Sequence, residues 1–191
     1  VGTERTSLPG VDLEGFVALD RLSVLARRSL DDFVEAYPVP ALVVEGAAQV
    51  AAGAVEAALE RERSFARTLQ GGSEDASAAP GEVACYVGRV VFLTKRPGNL
   101  FPEMITVGRV ANADITLVVG SVSKVHGYFR EEGGAWTYTD QRATNGTFVN
   151  GRRLESGERV ALNDGDRVQF GADVACTFLA PAGLARRFAA T

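Results

Sequence analysis

The chain has 191 residues, 46% of them hydrophobic and 23% charged, which is enough apolar content to bury a core and too much for disorder throughout. Twenty basic and 24 acidic residues leave a net charge of -4 with no long block of like charge, so nothing marks a nucleic-acid binder. No apolar run reaches the roughly 18 residues of a membrane span, and the N-terminal stretch lacks the basic, apolar, small-residue order of a secretory signal.

In chain order, the first predicted elements are helical. Leu22, Leu25, Ala26, Phe33 and Tyr37 recur at three-to-four-residue spacing, and Ser29 with Asp32 three residues on resembles a capping box that restarts a helix before Pro38 halts it. Pro38-Val39-Pro40-Ala41-Leu42-Val43-Val44 is either a short buried strand or an extended link. From Ala47 to Leu69, Val50, Ala51, Ala54, Val55, Ala58, Leu59, Phe65 and Ala66 form one apolar stripe of an Ala-rich helix. Such a stripe needs a partner surface: the preceding helices, the second half of the chain, or another copy of it, so a homo-oligomer through the N-terminal helices stays open.

Gly71 to Gly81 is small and polar with no apolar period, which reads as a flexible linker. Charge breaks at the same place, with seven basic and fourteen acidic residues in 1–82 against thirteen and ten in 83–191. The expected organisation is a helical region over 1–70, a linker over 71–82, a β-domain over 83–181 and a tail over 182–191. In the β-domain the period shortens to that of strands, at Val83 to Leu93, Met104 to Val107, Tyr128 to Arg130, Ala135 to Asp140, Thr147 to Val149, Arg159 to Leu162, Arg167 to Phe170 and Val174 to Leu179. Asn145-Gly146, Asn150-Gly151 and Asp164-Gly165 supply tight turns between them. Many short strands in about 100 residues predict a mainly β chain, an antiparallel β-sandwich preceded by a small helical N-terminal region.

The chemistry available is narrow. Cys85 and Cys176 make no CxxC, so neither a zinc site nor a disulfide framework has support, and a reducing cytoplasm is the expected compartment. His126 is the only histidine. With no GxSxG, HExxH or GxxxxGK[ST] pattern, no enzyme activity, metal or cofactor is expected.

Three loop clusters stand in a distinctive order: Gly108-Arg109, then Ser123-Lys124-Val125-His126, then Thr144-Asn145-Gly146-Thr147. Asn112-Ala113-Asp114-Ile115, Asp140, Leu162-Asn163-Asp164-Gly165-Asp166 and Phe170-Gly171 extend the set. The whole resembles the forkhead-associated (FHA) domain, a β-sandwich that binds phosphothreonine peptides through loops at one end; the N-terminal half lies outside the likeness. A phosphate dianion suits a planar guanidinium with hydroxyl and backbone donors around it. The resemblance therefore implies Arg109 as clamp, Ser123, Lys124 and Thr144 as further phosphate donors, and Asn145 as a hold on the peptide main chain. Gly108 would turn the backbone into Arg109, Gly146 would turn the loop behind Asn145, and His126 would brace the Ser-bearing segment rather than catalyse. Ala143, where the family often has Ser, and Gln141-Arg142 depart from its pattern beside the cradle.

The expected partner is a Thr-phosphorylated protein or a Ser/Thr kinase, with neither nucleic acid nor membrane. The competing reading is a phosphate-independent structural or oligomerisation protein using the same fold, against which intact Arg109, Ser123 and Thr144 weigh. Two further expectations concern Cys85 and Cys176, which would face each other on strands that the family pairs, and Thr3 or Thr6, which would place a phosphorylated tail in the loops.

Overall fold

The computed structural model describes residues 8–10, 16–17, 19–46 and 86–190. The expected Ala-rich helix at 47–69, the 71–82 linker, Cys85 and the Thr3/Thr6 segment all lie outside them. Twelve strands form two sheets. They are β1 (Phe16–Val17), β2 (Ala41–Gly46), β3 (Val90–Phe92), β4 (Ile105–Gly108), β5 (Ile115–Thr116) and β6 (Gly127–Glu132), followed by β7 (Ala135–Asp140), β8 (Thr147–Val149), β9 (Arg152–Arg153), β10 (Arg159–Leu162), β11 (Arg167–Phe170) and β12 (Val174–Leu179). The larger sheet runs β1-β3-β2-β12-β11-β8-β9 and the smaller β10-β7-β6-β4-β5. Every pairing is antiparallel except β4 with β5, which is parallel.

Three helices accompany the sheets: α1 (Leu19–Arg28), α2 (Leu30–Ala36) and α3 (Pro181–Ala189). Ser29 caps α2 as its sequence predicts, its hydroxyl accepting from the Asp32 N–H at 3.1 Å. The centre of the larger sheet is covered on both faces, which is why β2, β3 and β12 read as unbroken apolar runs rather than alternating ones. Leu42, Val44, Val91, Leu93, Cys176 and Phe178 point into the sandwich core with Phe129, Tyr138 and Phe170. Ala41, Val43, Val90, Phe92 and Leu179 point the other way, into a second core with Leu22, Ala26, Phe33, Leu184 and Phe188 of the helices. Tyr37 closes that second core, stacked on Phe92 at 4.9 Å between ring centres with its hydroxyl donating to the Pro9 carbonyl at 2.8 Å.

The structure departs from the expected division at three places. Of the segment Pro38 to Val44, the part from Ala41 is strand: β2 lies between β3 and β12, so the N-terminal region contributes a strand to the sandwich sheet. The expected strand from Val83 to Leu93 is shorter, because residues 86–88 turn and only Val90–Phe92 pairs. The expected tail from 182 is largely helix α3, whose Leu184, Ala185 and Phe188 are buried and whose N-terminus is tied by the Asp164 carboxylate to the Ala180 N–H at 2.8 Å. β12 pairs with β2 and β11, placing Val44 and Val168 opposite Cys176, while Cys85, the other half of the expected pair, lies outside the described residues. Cys176 is a free, buried thiol, and burial raises its pKa.

Candidate functional site

The loops β4–β5, β5–β6, β7–β8 and β11–β12 meet at one end of the sandwich, and hydrogen bonds between them bring together the residues singled out in the sequence. Gly108 ends β4 as ordinary extended strand, not as the sharp turn expected of it. Its need for glycine is steric: a Cβ there would collide with the Lys124 carbonyl, so the lack of a side chain lets the β5–β6 loop pass across the strand end. That passage lets the Arg109 N–H donate to the Ser123 carbonyl at 3.0 Å and Arg109 Nε to the Val122 carbonyl at 3.1 Å. The exposed guanidinium is thereby oriented, while its two terminal nitrogens have no partner among the described residues.

Across from it, Ser123 Oγ accepts from the Thr144 N–H at 2.9 Å, and the two side-chain oxygens lie 3.4 Å apart. At that separation the Ser123 hydroxyl donates to Thr144 Oγ1, which leaves the exposed Thr144 hydroxyl proton free to turn outward. Asn145 Nδ2 donates to the Ser121 carbonyl at 2.9 Å, pinning the two loops together and leaving Oδ1 without a partner among the described residues. Lys124 is exposed next to Ser123.

His126 is fully buried beneath these groups. Its Nδ1 accepts from the Ser123 N–H at 3.1 Å and its Nε2 lies 3.2 Å from the Gly146 carbonyl, which assigns the proton to Nε2 and makes the ring a neutral strut between the two loops. Burial, outweighing the nearby Asp140 charge and the Gly146 bond, lowers its pKa to about 4. A second proton would have to sit on Nδ1 against the Ser123 donor, so geometry and desolvation agree. Gly146 adopts a φ of +70°, and its carbonyl also accepts from the Gly171 N–H at 3.0 Å, which joins the fourth loop to the cluster.

Several supporting residues carry no recognisable pattern of their own. Buried Asp140 accepts from the Ala143 N–H at 3.1 Å and the Thr147 hydroxyl at 2.7 Å, shaping the turn that presents Thr144. Tyr86 accepts from the Val118 N–H at 3.0 Å through its hydroxyl and so braces the start of the β5–β6 loop. Asp114, fully buried, anchors the β3–β4 loop beside Arg109: Oδ2 accepts from Lys95 Nζ, Asn99 Nδ2, Thr106 N and Thr106 Oγ1 at 2.8 to 2.9 Å, and Oδ1 from Arg96 N at 2.7 Å. Only the family order pointed to Asp114 and Asp140; an isolated Asp in a loop is otherwise indistinguishable from a solvated one.

The site thus offers a guanidinium, an ammonium and two hydroxyls at one rim, with the neighbouring carboxylate Asp140 buried and committed to internal donors. Such a set of donors is chemically suited to an anion. Among the described residues no three His, Cys, Asp or Glu side chains gather as a metal site, and no helix is long and apolar enough to cross a membrane.

Comparison with known proteins identifies the family. Residues 105–171 match the FHA domain family. Over 111 residues the chain is 31% identical to the oxoglutarate dehydrogenase inhibitor of Corynebacterium diphtheriae, covering 55% of this chain and 76% of that protein. It is also 36% identical over 84 residues to the protein FraH of Nostoc, covering 44% of this chain and 27% of FraH. Among solved structures, Mycobacterium tuberculosis EmbR in complex with a low-affinity phosphopeptide matches 84% of this chain and 29% of its own, with 20% identity and a TM-score of 0.45. The chain belongs to the FHA-domain proteins, a family of phosphothreonine-binding modules.

Proposed function

We propose that this chain is a non-enzymatic reader of phosphothreonine, recruiting a Thr-phosphorylated protein, or a Ser/Thr kinase itself, in cytoplasmic kinase signalling. Arg109 clamps two phosphate oxygens, Ser123, Thr144 and Lys124 donate to the phosphate, and Asn145 Oδ1 accepts from the peptide main chain. The observation that carries this reading is the oriented guanidinium of Arg109, anchored through Nε with its paired terminal donors unused, beside the Ser123–Thr144 hydroxyl pair. Phosphoserine lacks the methyl that a shallow apolar contact beside such a cradle can select, so threonine is the expected acceptor.

The test is an oriented phosphothreonine peptide library on the full chain, with unphosphorylated and phosphoserine controls, followed by calorimetry on a selected peptide. Binding that requires the phosphate and falls at least thirtyfold in Arg109→Ala, an effect of about 2 kcal/mol or more, supports the assignment. Unchanged affinity in Arg109→Ala overturns it.

A further inference from the structure

The β5–β6 loop carries Ser123, and its far end is held by groups already described: His126 Nδ1, the Arg109 N–H and the Thr144 N–H all meet Ser123. Its near end is held from another direction. The Leu117 N–H donates to the Gly108 carbonyl at 2.9 Å, and the next N–H, that of Val118, donates to the Tyr86 hydroxyl at 3.0 Å. The Val118 side chain is 58% exposed while Leu117 and Val119 on either side are buried, so a slip of one residue would turn Val118 inward and both neighbours out. The Tyr86 bond holds the main chain at that alternating entry.

Tyr86 is itself fixed. Its ring is buried in the sandwich core with Leu117, Val119 and Val122. The turn that it opens is fastened to β2: the Gly88 N–H donates to the Val44 carbonyl and the Val44 N–H to the Arg89 carbonyl, both at 2.9 Å, and the Arg89 N–H closes on the Tyr86 carbonyl at 3.0 Å. A hydroxyl on a buried ring held in this way is a preorganised acceptor. Tyr86 stands ahead of residues 105–171, the span that matches the family, and outside every loop cluster that the sequence singles out. The path from β2 through Tyr86 to Val118 therefore carries the N-terminal half of the chain into the loop that holds Ser123 and whose Val122 carbonyl orients Arg109.

We infer that Tyr86 is a positioning residue of the phosphothreonine site, and that full affinity requires this residue from outside the family-matched span. Its hydroxyl sets where the β5–β6 loop begins, as His126 sets where it ends. With the entry released, Ser123 and the Val122 carbonyl lose a placement that the ligand would then have to restore on binding. The inference rests on the phosphothreonine reading above.

The test is calorimetry on the full chain, with a phosphothreonine peptide selected from the library and its unphosphorylated form, in wild type, Tyr86→Phe, Ser123→Ala and the double variant. Tyr86→Phe keeps the ring in the core and removes the acceptor. It should weaken phosphopeptide binding about three- to tenfold in the wild-type background, and by a clearly smaller factor once Ser123→Ala has removed one of the groups it positions. Ser29→Ala, which deletes the cap of α2 away from these loops, serves as the stability control: like Tyr86→Phe it should lower the melting temperature by a few degrees, but with affinity unchanged. Equal affinity in wild type and Tyr86→Phe, or an equal penalty with and without the Ser123 hydroxyl, overturns the inference and leaves the cradle standing. An affinity loss in Ser29→Ala as large as that in Tyr86→Phe also overturns it, because the effect would then be one of stability alone. Binding that ignores phosphate overturns the phosphothreonine reading and this inference with it.

Discussion

Replacing Asp114 by Asn should cost more stability than any single change on the binding rim. The carboxylate has no solvent exposure, and its closest charged partner, Lys95 Nζ, lies 2.8 Å away with its own side chain only 11% exposed. Asparagine keeps the shape but removes the counter-charge. If its NH2 occupies the Oδ2 position it meets four donors; if it occupies the Oδ1 position it faces the Arg96 N–H at a spot where that donor now sits 2.7 Å from an oxygen. Either way Lys95 is left with the Met104 carbonyl, 2.7 Å away, as the only acceptor among its described partners. Breaking a buried ion pair from one side costs about 3 to 5 kcal/mol, a drop in melting temperature of roughly 10 °C for a chain of this size. The assay is thermal unfolding of Asp114→Asn, Lys95→Met and the double variant. The double variant should recover part of the loss, because it no longer buries an unpaired charge. A melting temperature for Asp114→Asn within about 2 °C of wild type would refute the reasoning.

Stability should also fall with acid through His126. Its folded pKa of about 4 lies below the ordinary 6.5, so between those values the unfolded chain binds the proton and the folded chain does not; the stabilisation is complete above pH 6.5 and is lost as pH falls toward 4, by up to about 3 kcal/mol. Chemical denaturation at pH 7 and pH 4.5 in wild type and His126→Gln measures it, and an equal slope in both would remove the assignment. Ser123→Ala should weaken phosphopeptide binding by about three- to tenfold, less than Arg109→Ala, since it removes one neutral donor and frees the Thr144 N–H; calorimetry on a selected peptide distinguishes the two. Gly108→Ala should lower both melting temperature and affinity, because its methyl displaces the Lys124 carbonyl and with it the Ser123 segment; retention of wild-type affinity would show that the loop can shift without cost.

Seven strands after residue 104 were legible because their positions alternate or are bounded by Asn-Gly and Asp-Gly turns, and the structure places them within a residue or two of expectation, whereas the two-residue strands β5 and β9 are too short to show a period. The candidate site residues stood out as an ordered set through the family resemblance, and a structural demand is visible for two of them, the close approach at Gly108 and the His126 strut. What stayed ambiguous was Pro38 to Val44, where two prolines and an unbroken apolar run have no period to reveal a strand. That run is apolar throughout because helices cover one face of β2 and the second sheet covers the other. The shortening of β3 and the helix at 181–189 were similarly hidden, since a nine-residue helix with Pro at its start and only Leu184, Ala185 and Phe188 buried beside glycine carries a weak periodic signal.

The pairing of β2 with β3 has a topological consequence. Gly46 stands opposite Ala175, just past the turn that reaches the Gly146 carbonyl, and Tyr86 returns to meet Val118, so the chain leaves the sheet and re-enters it at the end that holds Arg109 and Thr144. These two neighbouring strands are antiparallel partners with some 40 residues of sequence between them. Loop-closure entropy rises only with the logarithm of length, so each doubling of the sequence between two paired strands costs only about 0.6 kcal/mol in closure. By closure entropy alone, the gap between these paired strands is a graft point, where sequence inserted between residues 46 and 86 would enter beside Arg109 and Thr144 without a change of strand register.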